Sequence, residues 1–119
     1  MMDRLTFEIV VRHAIERLPE RFRHALENVA VVVKEEPDAV DLEELDIDPN
    51  SDELFGLYHG VPLTERGGVY TGLPDRIEIY RGPILRSFHT RSDIVTEIED
   101  TLIHELGHHM GLDDNGMAY

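Results

Sequence analysis

His104 and His108 stand four residues apart, with Glu105 directly after the first. On an α-helix that interval places both imidazoles on one face, one above the other, where two ring nitrogens can share a metal ion. Glu105 projects about 100° round the helix from His104, so its carboxylate can hold a water at the ion without ligating it. Gly111 can take positive φ and turn the chain back, which brings Asp114 within reach as a third ligand and leaves a fourth position for water. Asp113, one residue earlier on the same turn, is the alternative carboxylate. The chemistry this pattern predicts is hydrolysis of a peptide bond at one Zn2+ ion. His104, His108 and Asp114 are the expected ligands and Glu105 the general base, taking a proton from water and passing it to the leaving amine.

A histidine pair with an intervening glutamate is short enough to arise by chance on an ordinary helix. The glycine at the seventh place after His104 and the acid at the tenth narrow it, because the turn geometry needs both. His109 lies about 100° round the helix from His108 and is expected to pack or to support the site rather than ligate. His59 and His89 are further candidates for a third ligand or a substrate contact, read first as loop or surface histidines, as His13 and His24 are.

The elements that must position these residues follow from periodicity. Ile94, Ile98, Leu102 and Leu106 recur at four-residue steps in a final helix that Thr90 or Ser92 can cap, with Glu97, Thr101, His104 and His108 as the neighbouring stripe. That geometry puts the histidines at the wall of a cleft, beside a face that must be buried. Residues 3–18 carry Leu5, Phe7, Ile9, Val10, Ala14, Ile15 and Leu18 at helical spacing, and Pro19 separates a second helix over residues 20–28. Val29 to Val33 is an unbroken apolar run of strand length and predicts a strand covered on both faces at the sheet centre. Residues 75–80 alternate polar and apolar and predict a half-buried strand. Residues 54–60 have strand composition, and Gly56 within them marks a bulge or a close backbone approach. Ile84 to Phe88 predicts a short helical turn.

Charge is concentrated in one place. The chain has 11 basic and 25 acidic residues, a net charge of −14, and residues 35–53 hold ten acids among nineteen positions with no Lys or Arg. Such a surface repels phosphate backbones and anionic lipid, so neither nucleic acid nor a membrane is an expected partner. Within that segment Pro37 and Pro49 break any long element, while Leu42 and Leu45 can anchor a short helical turn. Residues 46–52 resemble the start of a calcium loop, but the sixth position is Ser51 and the twelfth Leu57, so a solvated acidic loop is expected instead. Cysteine is absent, which leaves histidine and carboxylate as the strong ligands and fits a reducing cytoplasm. The N-terminus carries no secretory pattern and no apolar run is long enough to cross a bilayer, so the cytoplasm is the expected location. At 119 residues the chain is expected to be one domain, residues 1–119. Nothing in the pattern fixes an oligomeric state.

The stretch from His104 to Asp114 resembles the extended metzincin signature in its aspartate variant. The whole chain resembles the small bacterial zincin-like proteins called minimal metalloproteases, in size, in element order and in the run from Gly56 to Gly67. The resemblance implies a zincin-like α/β (α+β) domain, a small mixed sheet with N-terminal helices and a C-terminal active-site helix packed on it. It also implies an edge strand antiparallel to a bound peptide or protein substrate, from residues 54–60 or 76–80. Larger metzincins add a methionine turn and a subdomain after the third ligand. Here five residues follow Asp114, among them Met117, which either packs beneath the metal or is a terminal apolar residue. A substrate held mainly by its backbone is therefore expected. The competing readings are a metal-binding or peptide-binding module without turnover, and an acidic interaction protein with a structural metal site.

Overall fold

A computed structural model describes residues 2–60 and 74–111. Helix α1 (Arg4–Glu16) starts where the Asp3 side chain accepts from the Thr6 N–H, an N-cap that satisfies one of the orphan donors of the first turn. It buries Phe7, Val10, Val11 and Ala14, while Leu5 and Ile9 face outward, Leu5 at 68% exposure. The expected stripe therefore narrows by two residues and shifts to take in Val11. Pro19 caps α2 (Glu20–Ala25), and a 3-10 turn over Leu26–Asn28 leads into strand β1 (Val29–Lys34). Helix α3 (Ala39–Glu44) is the short helix expected in the acidic segment. Strands β2 (Gly56–His59) and β3 (Asp75–Tyr80), helix α4 (Arg81–Ser87) and helix α5 (Arg91–Met110) complete the order.

The three strands lie in the order β1-β3-β2, with β1 parallel and β2 antiparallel to β3. This mixed sheet, covered by α1 and α5 on one face, is the α+β arrangement expected, but two strands exchange places. β3, not β1, is the centre. Asp75, Ile77, Glu78, Ile79 and Tyr80 are all buried, whereas β1 sits at an edge among the described residues, with Val32 at 39% exposure. An apolar run is a two-sided signal only when something covers both sides, and among the described residues the far face of β1 has no such cover. Conversely, Glu78 reads as a solvent-side residue until its partners are seen: it accepts from Tyr80 Oη at 2.8 Å and Arg76 Nε at 3.1 Å, which is how a carboxylate tolerates burial.

The main core joins α1, the sheet and α5 through Phe7, Val10, Ala14, Ile77, Ile79, Ile84, Ile98, Leu102 and Leu106. A second cluster of Ile47, Leu54, Leu57 and Tyr80, with Leu42 and Leu45 against it, fastens the acidic segment to the opposite face of the sheet. Arg86 on α4 adds a clamp, paired with both Glu36 and Glu53 at the two ends of that segment. Among the described residues no helix is long and apolar enough to cross a membrane.

Candidate metal centre

The twenty-residue helix α5 is built to hold its last turns still. Thr90 caps it by accepting from the Asp93 N–H, and Ile94, Ile98, Leu102 and Leu106 are all buried in the main core. Its C-terminus closes at Gly111, φ 70° and ψ 25°, the left-handed conformation that a Cβ disfavours. The expected turn residue thus turns where the spacing requires. Asp113, Asp114 and Met117, the carboxylate ligand candidates and the terminal methionine, lie outside the described residues.

His104, Glu105 and His108 come together. Each offers a ligand atom, and these lie within 4.8 Å of one another. The two imidazole rings have centroids 5.2 Å apart, and His104 Nε2 stands 3.8 Å from Glu105 Oε2. The histidines are partly exposed, while Glu105 is 2% exposed. Its Oε1 accepts the backbone N–H of Tyr58 at 2.8 Å. Burial pushes the Glu105 carboxyl up to about 8, and the Tyr58 N–H works against that rise.

Tyr58 belongs to β2, which is an edge strand among the described residues. Phe55 O accepts from Tyr80 N, so the alternation along β2 directs the main-chain groups of Phe55, Leu57 and His59 to β3 and those of Gly56 and Tyr58 outward. Of the two segments expected to supply an edge, residues 76–80 form the central strand, which leaves β2 in that position among the described residues. Gly56 is the close approach anticipated: a Cβ there would stand 2.5 Å from Thr101 Cγ2 of α5 and 2.9 Å from Glu78 O.

A second group of residues lies directly beneath. Asp75 Oδ2 accepts the Tyr58 hydroxyl at 2.6 Å and stands 2.7 Å from His109 Nδ1, all within the protein. His109 thus supports the end of α5 rather than joining the neighbouring histidines. The packing or supporting role expected for it is the one the structure displays. Tyr58 and Asp75 were not singled out by spacing. Tyr58 falls in the run from Gly56 to Gly67, but Asp75 carries no sequence signal, since its importance comes from meeting residues 17 and 34 positions away. His59 lies on the other face of β2, beside Asp41 and Glu78, and His89 is exposed.

Two imidazoles beside a carboxylate suit a borderline divalent ion, and a chain without cysteine offers no competing soft site. The donor set therefore fits zinc. The model of the zincin-like metallopeptidase family matches residues 26–119. No curated protein matches the chain. Among solved structures, a conserved hypothetical protein from Thermus thermophilus is similar in fold, with a TM-score of 0.58 and 24% identity over 88% of this chain and 91% of that one.

Proposed function

The chain belongs to the zincin-like metallopeptidase family, and on that premise we propose that it is a zinc-dependent peptidase, with His104, His108 and Asp114 holding one ion and Glu105 as general base. The observation that carries the reading is the placement of Glu105. A carboxylate almost wholly buried, within ligand range of two histidines one turn apart and fixed by a hydrogen bond from the edge strand, is an arrangement with no packing purpose of its own.

A zinc ion bound there supplies Lewis acidity, which polarises a carbonyl and makes water acidic near neutral pH. The residues of the chain do the rest. Glu105 accepts a proton from water and returns it to the departing amine. Burial holds its carboxyl in the neutral form near pH 7, and a cation beside it favours the charged form that a base requires. Tyr58 N–H keeps one carboxylate oxygen in place, leaving Oε2, the atom nearer His104, for the proton. With the Tyr58 N–H held by Glu105, the other outward main-chain groups of β2 would pair with an extended peptide laid alongside, presenting its backbone to Glu105 with little demand on its side chains.

Metal analysis of the purified protein tests this directly. Wild type prepared without chelator should hold zinc that His104→Ala loses. If neither saturating zinc nor another divalent ion occupies a site that depends on His104, the reading fails.

A further inference from the structure

On the opposite face of the sheet, Asp41 from α3, His59 from β2 and Glu78 from β3 bring three more ligand atoms within 4.8 Å of one another. We propose that these three residues form a second divalent-cation site, for Zn2+ or Mn2+, which fastens the acidic segment to the sheet. The proposal does not rest on the peptidase reading, and it concerns different residues.

The geometry is that of a ligand set. His59 Nε2 is 3.2 Å from Glu78 Oε1 and 3.7 Å from Asp41 Oδ2. Two donors about 2.0–2.2 Å from a tetrahedral ion stand roughly 3.3–3.6 Å apart, so these spacings straddle what one ion requires. The three residues come from three separate elements, and their side chains are 16%, 23% and 5% exposed, in the order Asp41, His59, Glu78. That distinguishes them from a solvated acidic patch. One imidazole with two carboxylates selects a borderline or hard divalent ion.

Glu78 is also prepared for the role. The Tyr80 hydroxyl and the Arg76 guanidinium each donate to it, fixing the carboxylate plane as supporting residues do around metal ligands.

The fold supplies a reason for an ion here. Helix α3 has six residues and buries none of them, so among the described residues its apolar hold on the sheet comes from the partly buried Leu42 and the neighbouring Leu45 and Ile47. An ion bound to Asp41 ties that segment to β2 and β3 at once. The competing occupant of His59 Nε2 is a proton, as the N–H so formed would donate to the neighbouring carboxylates. Lys34 also competes: its ammonium is 3.8 Å from Glu78 Oε1, though closer to Asp38, at 3.0 Å. An ion that takes Glu78 would displace the Lys34 ammonium from it and leave Lys34 paired with Asp38.

The test is a zinc titration of untagged protein near neutral pH at physiological salt, followed calorimetrically and by thermal unfolding. Wild type should bind two equivalents, the double variant His104→Ala/His108→Ala one, and His59→Ala one. The remaining equivalent in the double variant should raise its melting temperature, and adding His59→Ala should abolish that rise. Lys34→Met should tighten the second site several-fold by removing its competitor. A double variant that binds no zinc while keeping its circular dichroism overturns the proposal, as does a His59→Ala protein that still binds two equivalents. If the double variant does not fold, Asp41→Asn in the otherwise native chain decides: two tight equivalents there also overturn it. One equivalent in wild type that survives His104→Ala and is lost in His59→Ala would uphold this site and refute the peptidase centre.

Discussion

The backbone N–H of Tyr58 donates to Glu105 Oε1 at 2.8 Å, so the outward edge of β2 and the general base proposed on α5 are held by one hydrogen bond. The strand that would receive a substrate and the group that would move its proton are thereby kept in register.

Glu105→Gln should separate metal binding from turnover. The amide still accepts from Tyr58 N–H and fills the same buried volume, but it cannot take a proton. Zinc content should match wild type, while peptide hydrolysis falls by about 10²–10⁴-fold. His104→Ala should lose both, and chelation of wild type should reproduce that loss reversibly. A Glu105→Gln protein that cleaves a peptide library at the wild-type rate removes Glu105 from the chemistry.

Asp75→Ala should unfold the protein readily, because Asp75 accepts from the Tyr58 hydroxyl and pairs with His109 where all three side chains are largely or fully buried. Truncation removes the buried carboxylate that Tyr58 and His109 share, at a cost on the order of 3–5 kcal/mol. Asp75→Asn keeps an acceptor oxygen and should cost about 1–3 kcal/mol. Urea unfolding measures both. A loss below about 1 kcal/mol for the alanine variant would show that the group carries little of the fold.

How much of this was legible in the sequence differs by the range of the interaction. The helix bearing His104, Glu105 and His108 could be read almost residue by residue, from Thr90 at its cap through the Ile94–Ile98–Leu102–Leu106 stripe to Gly111 at its end, because each signal acts within a few residues. The sheet order could not. Val29 to Val33 looked central and is an edge among the described residues, while Glu78 looked solvent-facing and is buried. In each case the deciding factor is a distant partner, or the lack of one, which local periodicity does not encode. The Tyr58, Asp75 and His109 group was invisible for the same reason, although the angle of about 100° between His109 and His108 on the helix already gave His109 a packing or supporting role.

Glu97→Gln should stabilise the protein at neutral pH and not in acid. Burial, partly opposed by the Thr101 hydroxyl and reinforced by Asp100, lifts the Glu97 carboxyl above its ordinary value near 4.5. A carboxyl raised in the folded state contributes stability that is complete below its unfolded value and is lost as pH rises through the folded one. The wild type therefore carries a burden at pH 7 that glutamine, still able to accept from Thr101, lacks. Since Glu97 is only partly buried, the gain should be about 0.5–1 kcal/mol at pH 7 and should vanish below about pH 4. A constant difference across that range would show that the effect is packing and not ionisation.

Gly56→Ala probes how closely β2 lies on α5. Its added Cβ would meet Thr101 Cγ2 at 2.5 Å and Glu78 O at 2.9 Å, contacts that only a shift of the strand or of the helix can relieve. Overpacking of this kind costs about 1–3 kcal/mol. The strand that moves is the one whose Tyr58 N–H holds Glu105, so turnover should fall along with stability. Thr101→Ser removes Cγ2 and keeps the hydroxyl that donates to Glu97 at 2.8 Å. Added to Gly56→Ala it should recover part of both losses, the remainder being due to Glu78 O, which it leaves in place. Recovery of stability without any recovery of hydrolysis would mean that the position of β2 does not govern Glu105.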